Sequence, residues 1–157
     1  KLPAISADGR YVAFASKAKN LGGSDEDGIE DVFVRDLKTS RTVLVSRAEG
    51  KHGAAGNGDS SNPSISADGR YVAFESYASN LGPADDSAVP DVFVRDLHSG
   101  RVFLASRDAG EHAANGPSAD PAISGDGRFV AFDSRGSNLS PADTLHATSV
   151  FRYQLLP

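Results

Sequence analysis

Ile5 to Phe14 reads ISADGRYVAF, and the same letters return unchanged at Ile65 to Phe74 and as ISGDGRFVAF at Ile123 to Phe132. The offsets are 60 and 58 residues, so the chain is built from tandem units rather than from one irregular domain. A second block keeps the same register: DVFVRDL stands at Asp31 to Leu37 and at Asp91 to Leu97, with a degraded version from Ser149 to Tyr153. An Asn-Leu pair separates the blocks, at Asn20, Asn80 and Asn138. Within a unit, Asp68-Gly69 falls between Ile65 and the run Tyr71-Val72-Ala73-Phe74, the strongest short-range signal for a hairpin. The β-branched and aromatic run Asp91 to Arg95 then reads as a third strand, and His98-Ser99-Gly100 turns the chain into a fourth, Arg101 to Ser106. The Gly-, Ala-, Asn- and Ser-rich stretch Asp108 to Ala119 suits a crossover into the next unit. The pattern predicts an all-β chain of four-stranded antiparallel units: repeat 1 over 1–62, repeat 2 over 63–120 and repeat 3 over 121–157.

Side-chain alternation selects the architecture. In a strand, Tyr71 and Ala73 point one way while Val72 and Phe74 point the other, and all four are uncharged, so both faces of the sheet need cover. Sheets repeated radially, each packed between two neighbours, meet that need and define a β-propeller. A plain β-sandwich would show cleaner apolar/polar alternation.

Composition narrows the function classes. A formal charge of −5 without a dense Lys/Arg run argues against binding to phosphate backbones, so nucleic acid is not an expected partner. No apolar stretch approaches the roughly 20 residues that span a bilayer as a helix. Cysteine is absent, which removes disulfides and thiolate metal sites.

The combination of ISADGRYVAF with DVFVRDL resembles the WD40-like repeat of TolB-type β-propellers, which are widespread among bacterial secreted and periplasmic proteins. The likeness covers nearly the whole chain, although the loop from Asn20 to Glu30 is longer than in the commonest members. It implies an extracytoplasmic protein. Known relatives serve as protein-interaction scaffolds, as parts of cell-envelope assemblies, or as substrate-gating domains of serine peptidases, so the resemblance bears on fold far more than on function.

Closed propellers use about 4 to 8 blades. Three units do not close a ring, and the third stops after its third strand. The expectation is a C-terminal piece of a larger propeller, whose partners are its remaining blades; the alternative is a homo-oligomer in which two copies close a six-bladed ring.

The sharpest candidate for chemistry is the run D-E-D-G-I-E-D, where Asp25, Asp27 and Asp31 flank a bend at Gly28. Oxygen ligands at alternating positions around a glycine are what calcium loops use. Set against the D-x-D-x-D-G-x-x-D loop of calcium-binding propellers, Gly23 stands where the first carboxylate belongs. In the second repeat Asp85, Ser87 and Asp91 take the corresponding places with Pro83 at the first, and in the third only Asp143 and Ser149 remain beside Leu145. The same residues equally suit solvated turns. Calcium is therefore the one candidate ion, and no other cofactor is expected.

Asp8, Asp68 and Asp126 adjoin their glycines, unlike the spaced Asp of a sialidase Asp-box, and read as turn residues. Arg10, Arg70 and Arg128, with Asp36 and Asp96, recur once per unit and suit repeated ion pairs rather than one catalytic centre. Of His52, His98, His112 and His146, His52 and His112 fall at equivalent points of the two inter-blade loops, lie in no metal-ligand spacing and read as surface residues rather than general bases. Nucleophile-elbow, P-loop and H-E-x-x-H motifs are absent. The leading expectation is a non-catalytic binding or scaffolding module whose specificity lies in loops that differ between units, Lys17 to Lys19, Tyr77 to Ser79 and Arg135 to Ser137. A substrate-gating propeller of a larger hydrolase is the second reading, and a glycan-processing propeller with carboxylates at the channel mouth the third.

Overall fold

The computed structural model describes residues 2–22, 28–82, 89–141 and 147–155. Among them the chain forms three antiparallel sheets, with no helix long and apolar enough to cross a membrane. The first sheet holds β1 (Ala4–Ile5), β2 (Tyr11–Ser16), β3 (Asp31–Asp36) and β4 (Arg41–Leu44) in sequence order. The second repeats it with β5 (Ser60–Ile65), β6 (Tyr71–Ser76), β7 (Asp91–Asp96) and β8 (Val102–Leu104). The third has β9 (Ser118–Ile123), β10 (Phe129–Ser134) and β11 (Ser149–Gln154), and no fourth strand among the described residues. This is the propeller-like arrangement with an incomplete last blade that the repeats predict.

Each blade begins with one locally encoded turn. Ser66 donates its Oγ hydrogen to Asp68 at 2.6 Å, Asp68 accepts the Arg70 N–H at 3.0 Å, and Ser66 Oγ accepts the Tyr71 N–H at 3.0 Å. Gly69 then adopts a φ of 73°, the left-handed region that costs glycine nothing. The corner is wider than a two-residue Asp-Gly hairpin, because the carbonyl of Ser66 already accepts the N–H of Gly69 at 3.0 Å. The first and third blades copy it with Ser6-Asp8 and Ser124-Asp126.

The blades meet along their first strands. β5 lies against β1, β2 and β3 of the blade before it, and β9 against β5, β6 and β7, so the first strands form the inner edge. The predicted two-faced burial is realised in the middle blade. Val72 and Phe74 belong to a core shared with Ala13, Val32 and Val34 of the first blade, while Tyr71 and Ala73 belong to one shared with Val130 and Phe132 of the third. A stacked Phe pair links the second and third strands of every blade: Phe14 with Phe33, Phe74 with Phe93 and Phe132 with Phe151.

Two repeated contacts set the spacing between blades. The Tyr11 ring packs so closely over Gly69 that a Cβ there would collide with it, and Tyr71 covers Gly127 in the same way. Alongside, the Ala7 N–H donates to the Ala67 carbonyl at 3.0 Å and the Ala67 N–H to the Gly125 carbonyl at 2.9 Å, tying the hairpin tips into a row.

Candidate functional site

The acidic-loop residues Asp25, Asp27, Asp85 and Ser87 lie outside the described residues, as do Asp143 and His146. The strand-bound members, Asp31 and Asp91, are fully buried. Ser46 at the end of β4 donates its hydroxyl hydrogen to Asp31 Oδ1 at 2.5 Å while accepting the Val32 N–H at 2.9 Å. Ser106 holds Asp91 and Val92 identically, at 2.6 and 2.9 Å. Each pair locks the start of the third strand to the end of the fourth. Among the described residues no group of three His, Cys, Asp or Glu side chains is placed to hold a metal.

The recurring Arg and Asp residues pair within a blade rather than between blades. Arg10 grips Asp36 through two parallel bonds, Nε to Oδ1 at 3.0 Å and a terminal nitrogen to Oδ2 at 2.7 Å, and Arg70 grips Asp96 at 3.1 and 2.8 Å. The hydrogen bond from Arg10 holds the Asp36 carboxyl well below the usual carboxylate range. Burial opposes ionisation of Asp96, yet the bonds from Arg70 and Ser99 overcome it and lower that carboxyl too. In the third blade Gln154 takes the corresponding position.

His112 is exposed, as a surface loop histidine should be. His112 has an acidic neighbour: Asp108 accepts its backbone N–H at 2.9 Å and faces its Nδ1 at 3.2 Å. The i to i+4 spacing carries no such signal outside a helix; here the turn through Gly110 folds the loop back on itself. At the equivalent place in the first blade Ala48 replaces Asp108, so His52 lacks that partner.

Two of the three loops nominated for specificity share one backbone clamp. Ser79 donates its N–H to Asn57 Oδ1 at 2.8 Å, Asn57 donates its N–H to Asn80 Oδ1 at 3.0 Å, and Asn80 donates its side-chain amide to the Ala55 carbonyl at 2.8 Å. Ser137, Asn115, Asn138 and Ala113 repeat the pattern in the third blade. These clamps fix the backbone in the second and third blades, and directly after the second strand stand Lys17, Tyr77 and Arg135, all exposed, while two positions on Lys19 answers Ser79 and Ser137. Tyr77 is the notable one, a large aromatic ring 57% exposed.

The inner strands hold a feature that composition conceals. β5 and β9 each carry a bulge, with Asn62 and Asp120 at φ of 48° and 52°. Asn62 donates its amide to Asp120 Oδ1 at 3.3 Å, and Ser61 donates to Glu75 Oε1 at 2.6 Å, placing polar groups in a row along the inner edge. The available signal was the pair Asn62-Pro63 and Asp120-Pro121, since Asn and Asp tolerate left-handed backbone better than other side chains.

Radially arranged four-stranded antiparallel sheets with their first strands innermost define a β-propeller. Among solved structures, the chain is similar to TolB from Acinetobacter baumannii, at 21% identity and a TM-score of 0.57, over 99% of this chain and 29% of that one. It is likewise similar to the tricorn protease, at 17% identity and a TM-score of 0.60, over 100% of this chain and 14% of that one. The likeness shows the fold, and the chain spans less than a third of either structure. No family model and no curated protein sequence matches it.

Proposed function

We propose that this chain is a non-catalytic binding or scaffolding portion of an extracytoplasmic β-propeller, completed by further blades, and that its partner docks on the rim formed by the loops after the second strands. The observation that supports this reading is the shared clamp that fixes these loops in the second and third blades, with exposed Lys17, Tyr77 and Arg135 differing at one equivalent position. Rigid loops present side chains at little entropic cost on binding, and an exposed Tyr between two cations has the composition of an interface hot spot. The fold likeness to TolB motivates the extracytoplasmic setting. The likeness to the tricorn protease motivates a second reading, a propeller that screens substrates for a protease domain elsewhere in a longer polypeptide. Calcium in the acidic loops belongs to the proposal as a structural ion of the same rim.

The test is site-specific photo-crosslinking from position 77 in a polypeptide carrying these residues, followed by affinity measurement on the captured partner. Tyr77→Ala is expected to weaken that complex by roughly tenfold or more, the size of one aromatic hot spot. Affinity that survives Tyr77→Ala, Lys17→Ala and Arg135→Ala together would refute the rim as the docking surface.

A further inference from the structure

Between the outer edge of the first blade and the second lies a groove of about 540 Å³ whose lining joins Val43 and Leu97 to Arg41, Arg47, Lys51 and Arg95. In a chain whose formal charge is −5, this concentration of cations is anomalous. Among the described residues the only carboxylate in the lining, Asp36, is already gripped by Arg10. None of the four cations forms an ion pair among the described residues. Arg95, 3% exposed, donates to the carbonyls of Arg47, Ala48 and Gly50 at 2.9, 3.2 and 2.6 Å. Arg47 donates to the carbonyl of Gly53. Glu49 stands outside the lining, though its charge reaches Arg95. Burial, reinforced by the Arg47 cation, lowers the Arg95 pKa from its ordinary value to about 10.

The next inter-blade position supplies an internal control. There Arg107 corresponds to Arg47, but Glu111 stands in place of Lys51 and Tyr153 in place of Arg95. Arg107 is neutralised by Glu111 at 2.9 Å and donates to the Tyr153 hydroxyl at 2.6 Å. The blade architecture therefore tolerates a balanced charge at this position, and the excess in the first groove is not required by the fold.

We infer that the first groove binds a small amphipathic organic carboxylate, its headgroup held by Arg41, Arg47 and Lys51 in the field of Arg95, and its apolar body lying along Val43 and Leu97. Cations rimming an apolar floor match that chemistry, and the volume falls within the range of small-molecule sites. This inference does not depend on the rim reading.

The test is nuclear magnetic resonance titration of a folded, isotope-labelled polypeptide carrying these residues, at low ionic strength, with hexanoate, using hexanol and hexylammonium as matched probes. Hexanoate is expected to give saturable shifts confined to the groove, weakening as salt screens the cations, while the other two probes give none. Lys51→Glu installs the residue that the second groove carries, so it is expected to fold normally and to weaken hexanoate by roughly tenfold. Equal binding of hexanol, hexanoate binding unchanged in Lys51→Glu, or no saturable shift at millimolar hexanoate would each overturn the assignment.

Discussion

β7 and β11 occupy the same place in successive blades and carry related residues, DVFVRD and SVFRYQ, yet every residue of β7 is buried while β11 alternates between half-buried and exposed. Val92 is fully buried; Val150, its counterpart, is 74% exposed. The difference lies in the neighbours. The middle blade has a blade on each side and contributes to both cores, whereas the described residues cover the third blade on one side only. Stability in such a repeat is a sum over interfaces, so the same substitution should have different consequences in the two places.

The largest contrast is expected in the stacked Phe pairs. Phe93→Ala should cost about 3–5 kcal/mol, read as a fall in the urea midpoint, and Phe151→Ala distinctly less. Val150→Ala should stay within about 0.5 kcal/mol of the parent chain. A large loss at Val150 would show that its face is covered in solution, which would end the contrast.

The glycines at the hairpin tips sharpen it further. Gly9, at φ 70°, has open space where a Cβ would go, so Gly9→Ala should cost only the left-handed backbone penalty of about 1–2 kcal/mol. Gly69→Ala meets the same penalty and must also displace the Tyr11 ring, so it should exceed Gly9→Ala by about 1–3 kcal/mol. Equal losses in thermal unfolding would mean that Tyr11 is not seated on its neighbour.

The smallest effect concerns pH. Asp36 and Asp96 have folded-state pKa values below their unfolded ones, so their contribution is fully present above about pH 4 and is lost as pH falls through the depressed folded values. The third blade has Gln154 at that position and lacks this acid-sensitive grip. Gln154→Asp, at the register position that Asp36 and Asp96 hold in the other blades, should stabilise by up to about 1 kcal/mol at neutral pH and by nothing at pH 2, which acid titrations of the variant and parent would resolve.

Much of the fold was legible because its signals are local. Strand count follows from the Asp-Gly corners and the period-2 runs, and two-faced burial follows from Tyr71, Val72, Ala73 and Phe74 alone. The candidate site was less legible because the residues that meet there are distant in sequence. A carboxylate row suggests calcium at Asp31 and Asp91, but nothing nearby reveals that Ser46 and Ser106, 15 residues on, donate to both. The bulges at Asn62 and Asp120 left only the Asn-Pro and Asp-Pro pairs as a local sign, too short a signal to show that Asn62 would reach Asp120 across two blades. Likewise, the excess charge of the first groove emerges only when Lys51 and Arg95, from different blades, are brought to one wall.

The packing of Tyr11 on Gly69, and of Tyr71 on Gly127, also gives the chain a polarity. Each blade offers a ring on one side and a bare backbone socket on the other, like a monomer with distinct plus and minus ends. Gly9 is such a socket left open, and Phe129 occupies the ring position at the opposite end. A copy of the second unit inserted beside it would meet the same ring and the same socket at its hairpin tip. Addition of a further repeat at this seam would thus reuse one side-chain joint, a ring of one unit seated on the backbone of the next.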